Sequence, residues 1–249
     1  MILLFYRIKA NIPVIIMGEA GCGKTSLIIK LNQILNNGEI TLKIINIHPE
    51  ITDEDIFKKM KEINEEAKKN KEKEKWILFD EMNTCLSLFL LTEIFMNRTY
   101  NGEKLSENIR LIGICYPYRK RKYIIEKCGL SKDDDNDNKL VYLVQPFPQS
   151  LLYYVSNFGS LIEEDERKYI FSIIEKIFKK DEINLHEVTR DALFECHRYL
   201  REIFDPLLVS LREISRFLKC FEFFQNYFNI KNEYKNENNE INNANKNNK

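Results

Sequence analysis

The sequence predicts an α/β fold: a five-stranded parallel sheet flanked by helices, followed by a small all-helical domain. Three observations predict it. Five short runs rich in Ile, Leu and Val recur along the first 150 residues, at Pro13–Met17, Thr41–Ile47, Trp76–Phe79, Arg110–Cys115 and Leu140–Val144. They are mostly continuous rather than alternating, as strands covered on both faces are. Helical patterns lie between them, near Lys24–Leu35, Asp53–Lys71 and Ser87–Asn97, and strand alternating with helix implies parallel pairing.

Pro13–Met17 reads as a buried strand that feeds the glycine-rich motif after it. The leader MILLFYRIKA is interrupted by Arg7 and Lys9 and is too short for a membrane helix. A signal peptide is a weak alternative, and the abrupt start suggests a chain cut from something longer. The first helix is stopped by Asn36, Asn37 and Gly38, residues that end helices through the left-handed conformation. The Lys- and Glu-rich stretch Lys58–Lys75 reads as a solvated helix with ion pairs between successive turns.

After Pro146–Pro148 only helical patterns remain. Leu207, Leu211, Ile214, Leu218 and Phe221 repeat in steps of four and three, the apolar face of a long helix. The expected domains are residues 1–148, a nucleotide-binding α/β domain; 149–228, a helical lid; and 229–249, an Asn-rich disordered tail. Lys132–Lys139 reads as a solvated acidic loop.

Lys plus Arg equals Asp plus Glu, 38 of each. Such balance speaks against a general nucleic-acid or membrane-surface binder. Six scattered cysteines without a CxxC pair argue against a disulfide framework or zinc site and fit a reducing, cytoplasmic setting.

GEAGCGKT at Gly18–Thr25 fits G-x-x-x-x-G-K-[ST] at every fixed position, between a strand and a helix. Gly18, Gly21 and Gly23 let the backbone of Glu19, Ala20 and Cys22 turn its N–H groups toward an anion. The helix that follows, with Ser26 in its first turn, points its positive end the same way. Lys24 is expected on the β- and γ-phosphates and Thr25 on Mg²⁺. WILFDEMN at Trp76–Asn83 ends a strand in two acids. Asp80 is expected to hold Mg²⁺ through water and Glu81 to polarise the attacking water. The expected cofactors are therefore ATP and Mg²⁺.

These blocks, with IRLIGICYPYRKR, LVYLVQPFPQSLLYYV and SLREISRFLKCFEFF, resemble the AAA+ modules of the mysterin-type ring-finger ubiquitin ligases. Dynein and midasin modules are similar at a greater distance. The resemblance covers residues 12–228. It implies a sheet whose fourth strand lies between the two motif strands, with its tip at the γ-phosphate. Relatives place an Asn sensor at that tip. Here the place is Tyr116, which also donates a hydrogen bond but is longer and bulkier; that weighs on hydrolysis and leaves ATP binding intact. Arg212 takes the sensor position of the helical domain. On spacing alone, Arg212 and Arg216 read equally as a nucleotide-facing pair or as the solvated side of a core helix.

Arg119–Lys122 reads as a subunit-contact or phosphate-facing cluster rather than a nucleic-acid patch, and Arg98 and Arg119 are candidates for a neighbouring module's nucleotide. The resemblance implies neighbouring AAA+ modules, in the same parent chain or in a ring, as partners. It extends to ubiquitin-system components only through a parent, with no nucleic acid and no transmembrane segment. The expected function is an ATP-binding and ATP-hydrolysing module. A nucleotide-dependent switch with little or no turnover, or an inactive gene fragment, are the alternatives.

Overall fold

The computed structural model describes residues 2–86, 88–119, 142–159, 162–177, 183–204, 209–224 and 227. The chain divides into two compact units, Met1–Ser160 and Leu161–Lys249.

In the first unit, β1 (Val14–Gly18), β2 (Leu42–Asn46), β3 (Lys75–Asp80), β6 (Ile109–Cys115) and β7 (Val155–Gly159) form one sheet in the order β2-β3-β6-β1-β7. Every pairing in it is parallel. The side-chain period of two explains why both faces are apolar. Ile15, Ile77, Phe79 and Leu111 meet α3 (Asp53–Lys69) and α4 (Leu88–Asn97) on one face. Val14, Ile16, Trp76, Leu78, Ile112 and Ile114 meet α1 (Ile2–Lys9) and α2 (Lys24–Leu35) on the other. A short antiparallel hairpin, β4 (Thr99–Tyr100) and β5 (Glu103–Lys104), precedes β6.

Local signals start the helices where they start. Thr52 and Asp55 form a reciprocal capping box on α3, with Asp53, Glu54 and Asp55 in its first turn and Lys68 and Lys69 in its last, each placed to suit the helix dipole. The buried stripe Ile56, Met60, Ile63 and Ala67 then docks α3 on the sheet.

Two expectations need correction. The fifth strand is not Leu140–Val144. Residues 140 and 141 lie outside the described residues, and 142–144 are not strand. The strand beside β1 is β7, reached through α5 (Gln149–Leu152). Its sequence VSNFG is polar because it is an edge strand, half-buried to exposed along its length, so it carries no continuous apolar run. In consequence the first unit runs to Ser160, past the boundary expected at 148.

The elements among the second unit's described residues are all helices: α6 (Glu163–Ile177), α7 (Ile183–Ile203) and α8 (211–224). Ile170, Ile174, Phe194, Leu211, Ile214 and Leu218 make its core. Of the expected stripe, Leu207 lies outside the described residues and Phe221 is 38% exposed. Glu166 of α6 and Arg201 of α7 form a two-oxygen ion pair, with His197 buried beside them. The segments 120–141 and 229–249, and with them the acidic-loop and tail readings, lie outside the described residues. Among the described residues no helix is long and apolar enough to cross a membrane.

Candidate functional site

The site gathers at the carboxyl ends of β1, β3 and β6, where the strands of a parallel sheet leave their loops to meet. The fourth-place strand lies between the two motif strands, as the resemblance implies: β6 pairs with β3 on one side and β1 on the other.

β1 ends at Gly18 and α2 begins at Lys24. Gly21 and Gly23 hold φ of 79° and 87°, the left-handed region that glycine adopts without strain. Gly18 is required for a different reason. A Cβ there would lie 3.3 Å from both the Gly159 carbonyl and Phe158 Cβ, and 3.2 Å from Cys22 Sγ. Gly23 caps α2 without any side-chain bond, so no side-chain oxygen competes for the N–H groups of the helix's first turn. Lys24 is 6% exposed and folds back over the loop, its ammonium donating to the carbonyls of Gly18 and Glu19 at 2.7 Å each. Ser26 sits exposed in the first turn of α2.

The acidic motif approaches from β3. Asp80 ends the strand. Its Oδ2 accepts from the Thr25 hydroxyl at 3.3 Å and its Oδ1 from the Glu81 N–H at 3.1 Å. Burial pushes the Asp80 carboxyl above the usual aspartate range, with the Thr25 bond opposing it. Glu81 takes φ 59°, uncommon for a residue with a Cβ, and that bend turns the chain out of β3. Met82, fully buried, then anchors the turn by donating its N–H to Ile114 O at 2.9 Å.

Tyr116, one residue past β6, closes the group. Its phenol donates to Glu81 Oε1 at 2.7 Å. Its ring lies 4.9 Å from the Lys24 ammonium and stacks on Tyr142, centroids 4.7 Å apart. The Tyr142 hydroxyl in turn donates to Glu19 Oε2 at 2.9 Å and accepts from Ala20 N at 3.3 Å. Burial moves its ionisation up to about 12. Arg119 pairs with the other oxygen of Glu19 at 2.8 Å.

The structure thus brings Lys24, Thr25, Asp80, Glu81 and Tyr116 together. Arg212 lies elsewhere in the chain, exposed on α8 of the second unit, while Arg216 pairs with Glu213 at 2.9 Å. Arg98, one of the two candidates for a neighbour's nucleotide, is engaged within this chain. It is half-buried at the start of β6, bonded to Asn11 Oδ1 and to the carbonyls of Ser106 and Ile109. Of Arg119–Lys122, only Arg119 is described.

Two residues were not anticipated. Asn83 is 2% exposed, and its amide binds the Tyr116 main chain in both directions. Tyr142 reads in sequence as part of an apolar strand. All the sequence offers for Asn83 is an amide two places after the acidic pair, with nothing to mark it as buried.

The donor set fits a magnesium-bound triphosphate. A hydroxyl and a carboxylate stand adjacent as hard oxygen ligands, an ammonium sits within the anion loop, and a Cβ on Gly18 would crowd the loop.

Residues 1–119 match the family model of the RNF213 AAA domain. The chain is 32% identical over 255 residues to the E3 ubiquitin-protein ligase rnf213-beta of Danio rerio, covering 92% of this chain. It is 34% identical over 247 residues to E3 ubiquitin-protein ligase RNF213 of Mus musculus, and 31% over 248 residues to that of Homo sapiens, covering 89% of this chain in both. It spans only 5% of the length of each of these relatives. Among solved structures, the Pif1 helicase from Candida albicans is 12% identical with a TM-score of 0.35, over 70% of this chain and 42% of that one. The strand order, not that likeness, defines the fold here.

Proposed function

We propose that this chain, an AAA+ module resembling the RNF213 AAA domain, binds ATP with Mg²⁺ and hydrolyses it slowly. The observation that carries the reading is the 3.3 Å bond from Thr25 to Asp80. It joins the phosphate loop to the acidic strand in the one arrangement where both can serve a single metal ion. Mg²⁺ held there would neutralise phosphate charge during transfer. The backbone of Gly18–Gly23 cradles the phosphates, and Lys24 exchanges its two carbonyl partners for phosphate oxygens. Glu81 accepts the proton of an attacking water.

Slow turnover follows from Tyr116. Its phenol donates to Glu81 Oε1 and so lowers the basicity of the carboxylate toward an attacking water, which slows Glu81 as a base while that bond holds. The same bond favours a second reading, a nucleotide-dependent switch with little or no hydrolysis. Single-turnover hydrolysis of Mg-ATP by the chain and by Glu81→Gln separates the two. A slow rate that Glu81→Gln abolishes supports the ATPase, whereas equal absence of turnover with intact binding supports the switch.

The curated relatives are named as ubiquitin-protein ligases. For this chain we place ubiquitin transfer outside the module, since its cysteines form no CxxC pair. In a parent of that kind, its role would be to change shape with the nucleotide against neighbouring AAA+ modules.

A further inference from the structure

We infer that Asn83 is a positioning residue of this site, fixing where Tyr116 meets Glu81; the inference rests on the ATP-site reading above. Asn83 lies two residues beyond Glu81 on the turn that leaves β3. Its Nδ2 donates to Tyr116 O at 2.8 Å, and its Oδ1 accepts from Tyr116 N at 3.1 Å. Its own carbonyl accepts from Gln145 N at 2.7 Å. One buried residue therefore ties together the acidic turn, the end of β6 and the strap that follows Tyr142. Both polar atoms of the amide are used on one main-chain unit, so the tip of β6 can neither slide nor rotate relative to the turn without breaking a buried bond. Ordinary core satisfaction needs any two partners. Here both partners belong to the residue whose phenol holds Glu81 and whose ring faces Lys24.

The chemistry this position controls lies at the terminal phosphate. With the phenol in place, the charge of Glu81 is partly satisfied. Once Tyr116 is loosened, that carboxylate faces the most charged end of ATP without its donor, while ADP, one phosphate shorter, is not affected.

The test uses the full chain with Mg-ATP and Mg-ADP, measuring both affinities and the thermal midpoint for the unmodified protein, Asn83→Ala, Tyr116→Phe and the double variant. We expect Asn83→Ala to lower the ratio of ATP to ADP affinity about tenfold, the scale of one lost hydrogen bond to a charged group. Tyr116→Phe is expected to match it, and the double variant to be no worse than either. Asn83→Ser, uncharged and too short to hold both the N–H and the carbonyl of Tyr116, shifts the ratio the same way and covers the case in which Asn83→Ala folds poorly. Equal weakening of ATP and ADP with a lowered midpoint would mean a structural role only and overturn the inference, as would additive effects in the double variant. An unmodified protein that binds neither nucleotide would overturn the ATP-site reading along with it.

Discussion

The Tyr116 phenol donates to Oε1 of Glu81 across 2.7 Å, from the tip of one strand to the turn after the next. The contact joins the two residues that, on the AAA+ reading, sense the nucleotide and activate water. On the proposed function, release of Glu81 is then a step separate from binding.

Removing that donor is therefore expected to speed hydrolysis. Tyr116→Phe keeps the ring stacked on Tyr142 and near Lys24 but leaves Oε1 open. Single-turnover assays with saturating Mg-ATP should show a rise of about tenfold, the scale of one charge-assisted bond. A fall would show that the phenol assists the reaction instead.

Asp80 contributes a pH dependence. Burial raises its pKa above the ordinary value of 3.8, so the folded chain holds that proton more tightly than the unfolded chain does. Its contribution to stability is fully present below the ordinary value and is lost as pH rises through the raised one. At neutral pH without metal, Asp80 thus strains the fold. Asp80→Asn should raise the thermal midpoint of the nucleotide-free protein by about 2 °C and remove its response to Mg-ATP. A lowered midpoint would contradict this.

Much of this was legible in the sequence, for physical reasons that differ by element. β1, β3 and β6 announce themselves because both faces are covered, and Trp76, Ile77, Leu78 and Phe79 are all fully buried. The glycines of the loop are fixed by left-handed backbone and crowding, which a motif records directly. β7 was hidden because an exposed edge strand needs only backbone partners. The placing of Tyr142 and Asn83 was hidden because their partners, Glu19 and Tyr116, lie far away along the chain. Arg98 shows the converse: a cation that looked available is held by three oxygens at the far end of β6.

Gly113 is a packing constraint behind the acidic turn. A Cβ there would fall on Met82 Sδ and lie 3.3 Å from Ile15 Cγ1 and Phe95 Cζ, so the buried Met82 side chain must shift to admit it. Gly113→Ala should cost about 1–3 kcal/mol in denaturant unfolding. It should also slow hydrolysis, because Met82 anchors the residue next to Glu81.

The second unit carries its own sensitivity to acid. His197 is 5% exposed. Burial depresses its pKa below 6.5; Glu166 opposes that shift and Arg201 adds to it. A depressed histidine stabilises the fold fully above its unfolded value, and that stability is lost as pH falls toward the folded value. Hydrogen-exchange protection across α7, taken relative to the intrinsic exchange rate at each pH, should fall between pH 7 and 5.5, and His197→Leu should remove that fall.

The most direct test of the ATP site is calorimetry with Mg-ATP on the unmodified chain and on Lys24→Ala. Removing the one ammonium buried in the phosphate loop should weaken binding by about a hundredfold or more while leaving the unfolding profile of the nucleotide-free protein cooperative. Equal affinity in the two proteins would contradict the account.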